Sequence, residues 1–252
     1  MVALTPLEWT LAAFVALLAG TIKGAIGFAL PLVMISGLST FLEPRLALAG
    51  LLIPVLATNA MQVLRQGLAP AVAAARHHWR YILMVVIAIL VAAQFVRHLG
   101  PRAFSLVLGI PVVVLSLIQL SGVRVRIPPR WRDAAEWGVG VVSGLLGGLA
   151  GTWGPTTVLY LLAIDTPKAR QMVVQGVIYG VGSVALVLGH LHSGLLNAQT
   201  APYSALLLIP AAAGMGIGFA LQDRMDAERF KRVTLIVLVV AGANMIRRGV
   251  MG

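Results

Sequence analysis

Gly20-Thr-Ile-Lys-Gly-Ala-Ile-Gly-Phe-Ala-Leu-Pro31 occurs twice in this chain. Displaced by 124 positions it falls on Gly144-Leu-Leu-Gly-Gly-Leu-Ala-Gly-Thr-Trp-Gly-Pro155, so that Gly20, Gly24, Gly27 and Pro31 meet Gly144, Gly148, Gly151 and Pro155. Each copy lies inside a long apolar run and is itself a poor helix, since Gly costs about 1 kcal/mol in a helix interior and Pro roughly 3. Backbone that is not continuous helix is tolerated at bilayer depth only where it is buried in protein or lines a cavity. Two such segments in one chain point to broken elements that face one another across a transport site.

Composition sets the surroundings. Of the 252 residues 59% are hydrophobic and 11% charged, with a mean hydropathy of +0.94, which excludes a soluble domain. The net charge of +11 suggests nucleic acid at first sight, but all of the 19 Lys and Arg except Lys23 stand at the ends of apolar runs, where such residues anchor and orient helices. There is no cysteine, hence no disulfide and no thiolate metal site. The N-terminal MVALTPLEWT carries Glu8 and no basic residue, unlike the positive start of a cleaved signal peptide, and is expected to be retained.

Residues 9–42 form an apolar run of 34 residues, which the Gly20–Gly27 segment is expected to split into pieces too short to span comfortably alone. Spans follow at 46–64, 81–96 and 103–121, joined by a basic connection around Arg65, Arg76, His77, His78 and Arg80 and by a turn at 97–102. The second half repeats this plan, with a Gly-rich break inside 137–164 and spans at 171–189, 204–221 and 230–246. Pro44-Arg45 is echoed by Pro167-Lys168, and Arg102-Ala103-Phe104 by Glu228-Arg229-Phe230. The expected organisation is a first membrane repeat over residues 1–122, a basic linker over 123–136 and a second repeat over 137–252.

Charge counting separates two topologies. If each Gly-rich segment crosses the membrane, basic residues divide nine to nine between the sides. If each dips in and returns as a hairpin, three full spans remain per half and the division is thirteen to five, with both termini outside. An odd number of spans per half also makes the repeats inverted. The expected fold is therefore an all-α polytopic membrane protein of two inverted repeats, each a broken or re-entrant Gly-rich segment plus three spanning helices.

The duplicated Gly-x3-Gly-x2-Gly…Pro motif, followed in each half by a Pro-Arg or Pro-Lys helix start, resembles the sulfite exporter TauE/SafE family. The closer copy is Gly148-Leu-Ala-Gly151-Thr-Trp-Gly154-Pro155; the first departs from the pattern at Lys23 and at Phe28-Ala29. The resemblance covers almost the whole chain. It implies a multi-pass protein of the bacterial inner membrane that moves sulfite, an organosulfonate or a related small organic anion.

Lys23 is the most informative side chain. A charge at that depth is costly and marks a functional site by default, and a cation beside helix breaks suits an anion, because helix N-termini add positive potential and free N–H donors. Thr21, Thr152 and Thr156 are expected to supply hydroxyls, and Asn59 an amide. Trp153 offers a surface for an organic moiety, and Gly24, Gly27, Gly148 and Gly151 permit close backbone approach. The eight acidic residues, Glu136 among them, all stand at span ends, so coupling through a buried carboxylate is not expected. His190 and His192 lie at a helix end and do not share a face. Ser143 with one of these histidines lacks the Gly-x-Ser-Gly order of an intramembrane serine protease, and no metal-ligand spacing or phosphate loop is present. The expectation is a secondary transporter and not an enzyme, with no catalytic residue, metal or cofactor. Its partners would be a small anion and the lipid bilayer, with no nucleic acid. Assembly into a homo-oligomer stays open, as do two other readings, a passive anion channel and a structural membrane subunit.

Overall fold

The computed structural model describes residues 2–123, 126–222 and 227–251, and no strand occurs among them. Eleven helices follow one another: α1 (Pro6–Ile26), α2 (Leu30–Leu38), α3 (Pro44–Gln66), α4 (Leu68–His77), α5 (Trp79–Phe95), α6 (Pro101–Ser121), α7 (Arg132–Ala150), α8 (Gly154–Ala163), α9 (Lys168–His192), α10 (Thr200–Gln222) and α11 (Ala227–Met251). Seven of them, α1, α3, α5, α6, α9, α10 and α11, are long and apolar enough to cross a membrane. The chain is a polytopic membrane protein.

Local chemistry sets many helix starts. Thr5 caps α1 in a reciprocal capping box with Glu8, and Pro6, Pro44 and Pro101 open α1, α3 and α6, where the missing N–H is no loss. Pro54 lies inside α3 and cannot bond the Gly50 carbonyl. Ser204 of α10 makes good the gap: its Oγ donates to Gly50 O and accepts from Ile53 N, each at 3.0 Å.

The sequence places the first break across Gly20–Gly27, but α1 runs on through Gly20 and Gly24 to Ile26. At 21 residues it is about 31 Å long, not one of two short pieces. The chain turns only at Gly27 and Ala29, both in the left-handed region (φ 84° and 79°). The second break is likewise confined to Gly151 (φ 67°), Thr152 and Trp153, and Gly144, Gly147 and Gly148 stay helical. These helical glycines serve packing. A Cβ on Gly20 would overlap the Ala211 carbonyl of α10, and one on Gly214 the Leu17 carbonyl of α1. A Cβ on Gly144 would stand 2.6 Å from both the Val85 carbonyl oxygen and Ala88 Cβ of α5. Two seams of small residues therefore bring α1 against α10, and α7 against α5, at backbone contact.

After each break the chain doubles back. Gly37 of α2 lies against the Val15 side chain of α1. In the second half Ser143 and Thr156 are hydrogen-bonded at 2.7 Å, and Tyr160 OH donates to Glu136 Oε1 at 3.2 Å. These contacts sort the helix ends. At one end Arg45 donates to the Leu99 carbonyl, Arg248 donates to the Ser39 carbonyl and Trp9 packs on Tyr203. At the other, Arg80 pairs with Asp133, Ile127 N bonds Ala163 O and the Arg65 guanidinium covers the Phe219 ring.

α3 and α9 form the centre: 61% of the most apolar stretch of each is buried, against 33% for α6, α10 and α11. The outer helices present exposed Phe14, Ile87, Val91, Ile110, Leu117 and Val240, as a lipid-facing surface requires.

Other boundaries shift. The connection after α3 holds a helix, α4, made of the good helix formers Leu, Ala and Arg and packed on α9. The expected linker over 123–136 ends earlier, because α7 begins at Arg132. Arg124 and the polar Asp223–Asp226 stretch lie outside the described residues.

Candidate functional site

Lys23 occupies the last turn of α1 and is 2% exposed. Its Nζ donates to Thr58 Oγ1 at 3.1 Å and to Asn59 Oδ1, both on α3. Asn59 Nδ2 donates to the Tyr179 carbonyl at the middle of α9 (3.0 Å), and Tyr179 OH donates to the Gly154 carbonyl at the start of α8 (3.1 Å). One hydrogen-bonded line thus ties the end of α1, both central helices and the second break. Two neutral residues hold the ammonium, and no ion pair joins it to a carboxylate among the described residues.

Beside Lys23 lies a cavity of ≈ 20 Å³, room for about one water molecule. Phe28, Ala29, Pro31 and Leu32 line it from the first hairpin; Gly151, Thr152, Trp153, Gly154 and Pro155 line it from the second. Asn59 and Tyr179 complete the wall. The N-termini of α2 and α8 both open onto this space, so their dipoles add to the Lys23 charge. Thr152 Oγ1 is buried there without a hydrogen-bond partner. One ammonium, an unpartnered hydroxyl and two helix starts supply positive potential and hydrogen-bond donors here, and the rings of Phe28, Trp153 and Tyr179 form the apolar part of the wall.

Of the ten residues singled out from the sequence, Lys23, Asn59, Gly151, Thr152 and Trp153 come together at this cavity. The other five lie outside its lining. Thr21 Oγ1 bonds the Leu17 carbonyl one turn back, and Gly24 packs against Met215 and Phe219 of α10. Gly27 faces Met172 and Gln175 of α9, and Gly148 faces Ile89 and Ala92 of α5. Thr156 is bonded to Ser143 and to the Trp153 carbonyl inside the second hairpin. Phe28, Tyr179 and Thr58 were not singled out. In the sequence Phe28 stands out only as a departure from the repeated motif and Thr58 only as the neighbour of Asn59, and Tyr179 carries no signal.

Two histidines are buried. His190 is fully buried, with Nε2 hydrogen-bonded to the Gly148 carbonyl at 3.1 Å, so it ties α9 to α7 and stands apart from Ser143. His78, in the basic connection before α5, is buried against Glu136 at 2.8 Å. Among the described residues no three His, Asp or Glu side chains cluster closely enough to hold a metal ion.

The model of the sulfite exporter TauE/SafE family matches residues 12–245. The chain belongs to this family. No curated protein and no solved structure matches it. As a TauE/SafE protein it is a multi-pass membrane transporter and not an enzyme, and the family's cargo is sulfur-containing anions. In this TauE/SafE chain a cavity lined from both hairpins also has a buried cation and an unpartnered hydroxyl in its wall.

Proposed function

We propose that this cavity is the substrate site of a secondary transporter that moves a small anion, sulfite, an organosulfonate or a related organic acid, across the bacterial inner membrane. The observation that carries the reading is the Lys23 ammonium, buried at the meeting point of two chain breaks and held by neutral oxygens. A buried charge of that kind is costly, and a bound anion would offset it.

The two halves are read as inverted repeats whose Gly-rich segments are re-entrant hairpins. Reciprocal packing supports this, since α1 of the first half lies along α10 of the second, and α7 of the second along α5 of the first. The positions facing the breaks correspond too: Gly27 meets Met172 and Gln175, while Gly151 meets Leu48 and Leu51, each pair 124 positions apart. With three crossings per half, the end carrying thirteen basic residues is cytoplasmic and both chain termini lie outside. A cavity closed to about one water favours alternating access over an open pore.

Uptake into proteoliposomes tests the reading, using sulfite, methanesulfonate and small carboxylates with wild type and Lys23→Ala. Losing a charged partner of a buried anion costs 2–5 kcal/mol, so Lys23→Ala is expected to weaken the transported class at least about thirtyfold while staying folded. Equal transport by a folded Lys23→Ala protein would remove the ammonium from the site. High unitary conductance without counterflow would replace the carrier by a channel.

A further inference from the structure

Away from the anion cavity, at the end read as cytoplasmic, His78 and Glu136 form a second buried polar centre. His78 opens α5 and is 4% exposed; Glu136 lies in the second turn of α7 and is 5% exposed. His78 Nδ1 stands 2.8 Å from Glu136 Oε1, which also accepts from Tyr160 OH of α8 at 3.2 Å. The second carboxylate oxygen, Oε2, is buried with no partner. Glu136 stands at a helix end in the sequence, but the doubling back of α8 over α7 and the packing of α5 enclose it.

The centre is joined to the anion cavity. The Tyr160 ring stacks on Tyr81 with centroids 5.0 Å apart, Tyr81 OH and Thr157 Oγ1 are bonded at 3.0 Å, and Thr157 donates to the Trp153 carbonyl at 2.8 Å. Trp153 lines the cavity. The other groups near the pair are accounted for: the His77 ring lies edge-on to His78 at 4.7 Å, Arg80 pairs with Asp133 at the surface, and Arg132 donates to the Ile164 carbonyl.

We propose that the His78–Glu136 pair is the binding site of a coupling proton, so that the anion is carried with H⁺. This rests on the transporter reading above and adds the coupling ion. In the loaded form both imidazole nitrogens carry hydrogen, and imidazolium and carboxylate together are neutral. On release one imidazole N–H bond breaks and its proton passes to cytoplasmic water. The carboxylate charge then has no imidazolium to balance it in a closed site, where Tyr160 still donates to Oε1 and Oε2 has no partner. Hydration relieves that state, and hydration requires the α7–α8 hairpin to part from α5. Closure at this end therefore favours the proton-loaded pair, and opening favours release.

The test uses proteoliposomes of the full chain with sulfite and methanesulfonate as probes, the latter because it stays ionised, so that any proton moved is the protein's. For one proton per monovalent anion, a gradient of one pH unit holds about a tenfold accumulation. Wild type is expected to reach it. Glu136→Gln and, separately, His78→Asn are expected to keep anion counterflow and to lose the gradient-driven accumulation. Two results with the variants overturn the proposal: accumulation by both as in wild type, or loss of counterflow and accumulation in equal measure, which marks a purely structural pair. If Glu136→Gln does not insert, His78→Asn carries the comparison. Wild-type counterflow with no response to the gradient removes this inference alone. No movement of sulfite, methanesulfonate or the small carboxylates removes the transporter reading, and this inference with it.

Discussion

Lys23 Nζ rests on two neutral oxygens, and in the proposed site an entering anion would match its positive charge. Thr152 is the natural second contact, because its hydroxyl is buried there without a partner. Replacing an unpartnered hydroxyl by a methyl group of the same shape is nearly neutral or stabilising. Thr152→Val is thus expected to hold or slightly raise the unfolding temperature in detergent while weakening anion affinity by about 1 kcal/mol, several-fold, in a binding assay. A fall in stability with unchanged affinity would assign the hydroxyl to the fold. Lys23 and Asn59 were legible from sequence because a charge or amide inside an apolar run demands a reason. Phe28 and Tyr179 were not, since an aromatic ring in such a run looks like any core residue. Thr21 and Thr156 fall outside the cavity lining because, within a helix, their hydroxyls turn to backbone carbonyls of the preceding turn.

Among elements, the glycine seams hold the hairpins in place. Gly20→Ala forces a methyl group into the Ala211 carbonyl, and α1 and α10 must separate to admit it. A loss of about 1–3 kcal/mol is expected, read as a lower unfolding temperature and weaker expression. Gly138→Ala is the control: on the exposed side of α7 its Cβ meets nothing within 4 Å, and helix propensity makes it stabilising by about 0.5–1 kcal/mol. Equal effects from the two would remove backbone contact as the cause. The repeat of Gly20, Gly24 and Gly27 was plain in the sequence, but its division of labour was not. A glycine needed for close approach and one needed for a left-handed turn are written with the same letter, and only the neighbouring helix tells them apart. α4 escaped notice because its alanines sit between basic residues that mark a connection.

For the whole molecule, the order of helix ends makes a prediction that needs no substrate. The chain has no cysteine, so single cysteines at Ala3 and Ala134, both exposed, would each be the sole thiol. An impermeant maleimide added to cells with a permeabilised outer membrane is expected to label Ala3→Cys at once, and Ala134→Cys only after lysis. Labelling of both from outside would mean that the first hairpin crosses fully, because position 134 would then follow an even number of crossings. The charge imbalance already implied this arrangement; the depth of each break could not be counted from charges, because glycine and alanine carry none. The seams have one more consequence. Each hairpin leans on a helix from the other half of the chain, so the two halves are interlocked like clasped hands. A gene cut within the 122–131 connection would yield two fragments, each with a hairpin lacking its floor and a groove lacking its occupant. Either fragment alone is expected to be degraded, and both made together to reassemble into a working carrier. Any exchange of halves between relatives must then keep Gly20 and Gly24 compatible with Gly214 and Gly218, residues nearly two hundred positions apart that can only be inherited as a set.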